Sequence, residues 1–203
     1  MLETIKSGGF FMIPIIICGI VATFIIIERC IYFANIKKKD LVLMAELNNG
    51  LVSGNYQSCS EACVQADTPF SQVVKKALDC RRFEEKDLRE IVEAEMDLVV
   101  PRFEHLLSTL GTIANIATLL GLLGTVTGNI KAFGVLGAGG TMGDPALLAG
   151  AIAEALMTTV AGLCVSIPSL IFHNFFVSRV NHNIVEMEVK VTSVLLRLMG
   201  RAK

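Results

Sequence analysis

The chain has 203 residues, of which 53% are hydrophobic and 18% charged, with a mean hydropathy of +0.61. An ordinary soluble domain is about 25% charged, so this balance points to a membrane protein. A net charge of −1, without an aromatic–basic patch, excludes a generally basic nucleic-acid binder.

A nearly uncharged run over residues 9–33 opens the chain. It is longer than the apolar core of a signal peptide. Its uncharged part ends at Glu28-Arg29 with no small-residue cleavage pattern, so it reads as a retained span. The segment that follows, residues 35–105, is more polar and reads as amphipathic helix with breaks. Asn48-Asn49-Gly50 and Gly54-Asn55 predict turns. Thr68-Pro69 predicts an N-cap followed by proline at the first helical position. From Glu84 onward, Leu88, Ile91, Met96, Val99, Phe103 and Leu106 recur at near-helical spacing. This pattern predicts a helix running into the second span, bent at Pro101. It serves either as a solvated helix packed on its neighbours or as a docking surface.

The second apolar run covers residues 106–130 and the third residues 145–176. Each is long enough to cross a bilayer as a helix, which takes roughly 20 residues. Between them, residues 131–144 form a glycine-rich connector. It has neither the Lys-Ser/Thr nor the preceding strand of a phosphate loop, and it closes with Asp144 as N-cap and Pro145 at the first helical position. Beyond the third run, Val180, Ile184, Met187, Val191, Val194 and Leu198 keep an unbroken 4-3 spacing. That spacing predicts that the span continues as one long helix packed along others. Its partner is the 84–103 helix of the same chain or of a neighbour.

Lys and Arg cluster after the first span (Arg29, Lys37, Lys38, Lys39) and after the third (Arg179, Lys190, Arg197, Arg201, Lys203). By the positive-inside rule these sides are cytoplasmic, and the N-terminus is outside. The expected organisation is residues 1–34 as outer segment and first span, 35–105 as cytoplasmic helical segment, 106–176 as spans two and three, and 177–203 as cytoplasmic C-terminal helix. Of the six cysteines, Cys59, Cys63 and Cys80 fall in the polar middle. Cys59 and Cys63 share a helix face, but no His lies near and zinc sites usually take four ligands. Reduced thiols are expected there. His105, His173 and His182 lie near span ends, and no nucleophile–base pair or metal spacing is visible, so no enzyme and no cofactor are expected.

One carboxyl, Glu154, sits inside the third apolar run. A charge near mid-membrane costs about 2.5–3.5 kcal/mol on insertion scales, so this group must be neutral, paired or beside water. Span two is rich in small and hydroxyl residues, including Thr118, Gly121, Gly124, Thr125 and Gly128. The Gly124/Gly128 pair allows close helix approach. On span three, Glu154 shares a face with Thr158, beside Thr159. A hydroxyl-lined face with one carboxyl suits a proton pathway. The alternatives are a non-conducting scaffold, in which threonines bond their own helix, and a small secondary transporter. The latter is disfavoured by the absence of a repeated half.

The Gly121-Leu-Leu-Gly-Thr-Val-Thr-Gly128 run, the Ile152-Ala-Glu-Ala-Leu-Met-Thr-Thr-Val-Ala-Gly-Leu163 run, Ile167-Pro168 and Asn174, with Glu28-Arg29 closing the first span, together resemble the MotA/TolQ/ExbB proton-channel family, and ExbB and TolQ within it. The resemblance implies an all-α integral membrane protein of the bacterial inner membrane, with a periplasmic N-terminus and cytoplasmic C-terminus. It implies a homo-oligomer, a pentamer, whose second and third spans surround a central pore. An ExbD- or TolR-like single-span partner occupies the pore, and work is delivered to a TonB- or TolA-like protein. By motif position, Thr125 and Thr159 are pore threonines facing a partner aspartate and Glu154 is the essential carboxyl. Thr118 and Thr158 add hydroxyls, while Gly121, Gly124, Gly128, Gly162 and Pro168 serve helix packing. The function implied is a proton-channel subunit of the TonB system, with the TolQ-type envelope-integrity role as the alternative. Thr118 stands where the family usually has proline, and Asn129 and Lys131 are more polar than usual. The absence of a fourth span disfavours the flagellar-stator type.

Overall fold

The computed structural model describes residues 9–138 and 145–200. Among the described residues the chain forms six helices: α1 (Met12–Ser53), α2 (Tyr56–Ala66), α3 (Pro69–Asp79), α4 (Glu85–Glu104), α5 (Leu107–Ala138) and α6 (Pro145–Leu198). Three stretches, in α1, in Glu85–Gly134 and in α6, are long and apolar enough to cross a membrane. Helices satisfy their own backbone where no water is present, so the chain is an all-α, multi-pass membrane protein. It divides into two compact units, one combining Met1–Glu28 with Leu106–Phe175, the other Arg29–His105 with Phe176–Lys203.

In the first unit, α5 packs antiparallel to the first half of α6, and the start of α1 runs parallel to α6. Going along α5, Gly111 meets His173, Gly121 meets Thr159 and Gly162, and Gly128 meets Ala155. Gly9, just before α1, meets Glu154, and Gly19 of α1 meets Val165. At Gly121 and Gly162 glycine is needed because the backbones are so close. A Cβ at Gly162 would lie 2.6 Å from the Ala117 carbonyl oxygen and 3.0 Å from Gly121 Cα. In lipid, such packing replaces the hydrophobic drive that assembles soluble cores. The opposite faces carry exposed Ile13, Ile17 and Phe24 on α1, Leu119 and Leu122 on α5, and Leu156 and Val160 on α6. That apolar surface suits lipid tails or other spans.

In the second unit, the predicted cap at Thr68-Pro69 is present and starts α3. Thr68 Oγ1 accepts from the Ser71 N–H at 3.1 Å, and Ser71 Oγ accepts from the Thr68 N–H at 2.9 Å. Thr68 Oγ1 in turn donates to the Asp40 carboxylate of α1 at 2.6 Å. Burial pushes the Asp40 carboxyl above its usual range, opposed by that hydrogen bond and by Lys190. Of the predicted C-terminal seam, Val180, Met187, Val191 and Val194 are each at most 3% exposed, and Ile184 and Leu198 are half-buried. Its surroundings are α1 and α3, with Phe176 stacked on Phe33, Lys190 over Phe70 and Arg197 donating to Asn48.

Three local expectations are corrected. Asn48-Asn49-Gly50 makes no turn, and α1 continues to Ser53. Tertiary contacts override the turn propensity here: Asn48 accepts from Arg197, and Gly50 gives the Cys59 thiol room that a Cβ would fill. The turn comes at Gly54, with φ +69°, and Asn55 caps α2 by accepting from the Ser58 N–H. The 84–103 helix does not run into the second span. It passes Pro101, stops at Glu104, and the chain takes a left-handed turn at Leu106 with φ +64°. Buried Arg29 meets the free carbonyls of that helix end, with Nη1 3.5 Å from both Arg102 and Phe103 oxygens and Nη2 3.3 Å from His105 Nδ1. Since arginine only donates, His105 Nδ1 accepts in this contact. Finally, α5 extends to Ala138, so Gly134 and Gly137 are helical rather than part of a connector. Gly139, Gly140, Gly143 and Asp144 lie outside the described residues.

Cys59 and Cys63 are buried together on α2, and burial pushes the Cys63 thiol up to about 12. A thiol held protonated is a poor nucleophile and a poor metal ligand.

Two predictions follow from these contacts. Gly162→Ala should lower the thermal midpoint of the detergent-solubilised protein, at a cost of about 1–3 kcal/mol for overpacking. Gly150→Ala, where a Cβ meets nothing within 4 Å, should not. The raised Asp40 carboxyl means the folded chain binds that proton more tightly than the unfolded chain does. Its contribution is therefore intact below the ordinary value of 3.8 and lost as pH rises through the folded value. Asp40→Asn keeps an acceptor for Thr68 without the charge. Thermal unfolding should find it at least as stable as the parent at pH 7, with the difference vanishing near pH 4.

Candidate functional site

The site is built where α5 and α6 approach most closely. The first turns of α6 are rich in alanine and leucine, the best helix formers, and Glu154 is the one ionisable residue between Pro145 and Ser178 apart from Cys164 and His173. Its side chain is 29% exposed, and Lys131 Nζ donates to its Oε1 at 2.8 Å. Lys131 is likewise the one charged residue of α5. Pairing offsets the cost of holding either charge in a poorly solvated place. The carboxylate also rests against Gly9, where a Cβ would stand 3.0 Å from Glu154 Cδ and closer still to Oε1.

Hydroxyls follow this pair along the two helices. Thr158 is buried, donates to the Glu154 main-chain oxygen at 2.8 Å and packs its methyl against Gly124. Thr159 Oγ1 donates across the helices to the Gly121 carbonyl at 2.8 Å. Thr118 Oγ1 makes a 2.6 Å hydrogen bond with Ser166 Oγ and also lies 3.2 Å from the Ala114 carbonyl. The half-buried Thr125 donates to the Leu122 carbonyl of its own helix at 2.6 Å. Pro168 is exposed on the chain surface, while Ser169 beside it donates to the Val165 carbonyl at 2.6 Å.

The fold thus joins Gly121, Gly124, Gly128 and Gly162 in one crossing with Thr158 and Thr159, and it sets Glu154 at the Gly128 end of that crossing. Thr118 belongs to a second polar contact further along, Thr125 bonds its own helix, and Pro168 is exposed. Ser166 is one of the span-three hydroxyls that the sequence places near Glu154, whereas sequence reasoning missed Lys131 and Gly9 as its neighbours. For Lys131 there was a usable signal, since it continues the 3-4-3 spacing of Gly121, Gly124 and Gly128 and so falls on the same helix face. Gly9 carried no such mark. Among the described residues no three His, Cys, Asp or Glu side chains are placed to hold a metal. The arrangement can hold and release a proton at one carboxylate with a cation beside it, inside a face made of glycines and hydroxyls.

The Thr118–Ser166 contact should be energetically real. In a double-mutant cycle of Thr118→Val and Ser166→Ala, read by thermal unfolding in detergent, the coupling should be about 0.6 kcal/mol and at most about 1.7. Strict additivity would mean that the two hydroxyls do not interact.

Residues 65–189 match the model of the MotA/TolQ/ExbB proton channel family. Among curated proteins, the ExbB-like 3 protein of Synechocystis sp. is 28% identical over 171 residues, covering 84% of this chain and 81% of its own. The biopolymer transport protein ExbB of Neisseria meningitidis serogroup B is 28% identical over 181 residues, covering 82% of this chain and 80% of its own. That of Aquifex aeolicus is 38% identical over a shorter stretch of 79 residues, 39% of this chain and 53% of its own.

Proposed function

Because the chain belongs to the MotA/TolQ/ExbB proton channel family, a family of channels rather than enzymes, we propose that it is an ExbB-type subunit of an energy-transducing complex in a bacterial inner membrane. In this reading it couples the proton motive force to TonB-dependent transport across the outer membrane. The observation that carries the reading is Glu154: a carboxylate in an otherwise uncharged stretch of α6, packed at a crossing of glycines and threonines and tied to one lysine. Even paired, an ionisable group in that setting is costly, and exchange of a proton gives it a use.

The positive-inside rule supports a periplasmic N-terminus and a cytoplasmic second unit. The complex is a homo-oligomer, a pentamer, in which copies of α5 and α6 enclose a pore. The exposed faces bearing Leu119, Leu122, Leu156 and Val160 supply surface for contacts between copies and for lipid. A single-span ExbD-like partner lies in the pore, and an aspartate on it trades protons with the face carrying Thr125, Thr159 and Glu154. Thr125, whose hydroxyl donates to the Leu122 carbonyl of its own helix at 2.6 Å, has acceptor lone pairs left to offer. Flow of protons turns the parts relative to each other and delivers work to a TonB-like protein. Relatives bearing the ExbB name favour this role over that of TolQ.

Glu154→Gln keeps size and hydrogen bonding but cannot ionise. The variant should assemble with its partner, and energy-dependent uptake across the outer membrane should fall at least about tenfold, the scale of losing a proton-transfer group. Assembly with undiminished uptake would remove the proton role.

A further inference from the structure

Lys131 is the residue the proton-channel reading leaves without a task. A lysine exposed to hydrocarbon is as costly as a glutamate, and nothing in the packing of α5 requires one: the glycine face that seats α5 on α6 is complete at Gly121, Gly124 and Gly128. Yet Lys131 extends that face by one step, and its ammonium reaches Glu154 Oε1 at 2.8 Å. The opposite side of the carboxylate is closed by Gly9, at φ +64°, where any side chain would collide with the carboxyl group. Two separate elements therefore shape the place in which this carboxylate sits, one by charge and one by close approach.

We propose that Lys131 is a positioning residue that ties the Glu154 carboxylate toward its own end of α5, and that protonation of Glu154 is what releases it. This inference rests on the proton-carrier reading of Glu154. A hydronium arriving at the site gives one proton to the carboxylate, leaving a neutral carboxylic acid and a water molecule. The ammonium keeps its three protons throughout. The ion pair then becomes a neutral–cation contact, the attraction is lost, and the Glu154 side chain is free to turn toward the threonines of the crossing. When the acid gives up its proton, the pair re-forms. Lys131 thereby makes the loaded and unloaded states of the carrier differ in geometry as well as in charge, which is what a directional relay needs.

The electrostatic surroundings are simple. α5 carries no other charge between Leu107 and Ala138, α6 none between Pro145 and Ser178 beyond Glu154, with His173 and Cys164 further along it, and α1 none from Met12 to Ile27. Cys18 on α1 completes the titratable groups of these stretches. Glu3 and Lys6 lie outside the described residues.

The test uses the full chain with its partner in lipid vesicles and reads proton flux against pH. Lys131→Met removes the ionic tether, so its profile of flux against pH should separate from that of the parent, whereas Lys131→Arg, which keeps a cation there, should superimpose on it. Superimposed profiles for all three would overturn the proposal. Should Lys131→Met fail to assemble, the parent itself decides. A water-soluble carbodiimide should condense Lys131 Nζ with the Glu154 carboxyl, with loss of one water, giving a 131–154 linked peptide by mass spectrometry. Gly9→Ala should reduce that product several-fold, and absence of the product in the parent would overturn the proposal. The two readings fail separately: flux retained in Glu154→Gln removes the carrier role, whereas a flux loss there with unchanged Lys131 profiles removes only the tether.

Discussion

The structure of the first unit depends on backbone-to-backbone contact between α5 and α6. Gly121 and Gly162 meet with no side chain between them, and Gly124 and Gly128 receive the Thr158 methyl and Ala155. Because lipid gives helices little hydrophobic reason to associate, the contact is made by dispersion at short range and by hydroxyls that cross it. Close approach has a second consequence. It brings Lys131 and Glu154, on different helices, within ion-pair distance. A wider crossing would leave each charge to find its own way out of hydrocarbon.

The second unit is built on different chemistry. Its helices are amphipathic and bury apolar seams in the ordinary way: Phe33 against Phe176, Leu78, Val92 and Val99 fully buried, and Val191 and Val194 along α6. Polar groups there fix helix ends rather than carry a reaction. Thr68 and Ser71 cap α3, Asp40 accepts from Thr68, and Arg29 meets the last carbonyls of α4 while stacking on Tyr32 at 4.5 Å. The ionic contacts on its surface, such as Glu186 with Lys190 at 2.8 Å, hold the Glu186 carboxyl below its usual range but, being exposed, add little stability.

Much of this was legible in the residues. Three apolar runs set the spans, the 4-3 pattern from Val180 set the long tail of α6, and Thr68-Pro69 set the start of α3, because each signal is local and strong. The errors arose where tertiary contact decided the backbone. Asn48 and Gly50 look like a turn until Arg197 and Cys59 are brought against them. The end of α4 looks continuous with α5 until Arg29 is seen beneath it, since a left-handed leucine leaves no trace in a periodicity. At the site, the glycines and Glu154 were readable from spacing and from the oddity of a carboxyl in an apolar run. Lys131 was counted as a connector charge because α5 was expected to end at Ile130. Seen as a helical residue, it falls on the same stripe as the glycines.

The most direct measurement is an experimental structure of this chain with its single-span partner in lipid, at a resolution that places side chains. The account predicts the Glu154 carboxylate at the α5–α6 crossing, within hydrogen-bond reach of Lys131, water or a polar group of the partner, with Thr125 and Thr159 on the pore side of the assembled copies. A Glu154 side chain directed into lipid tails, with no polar atom in reach, would contradict it.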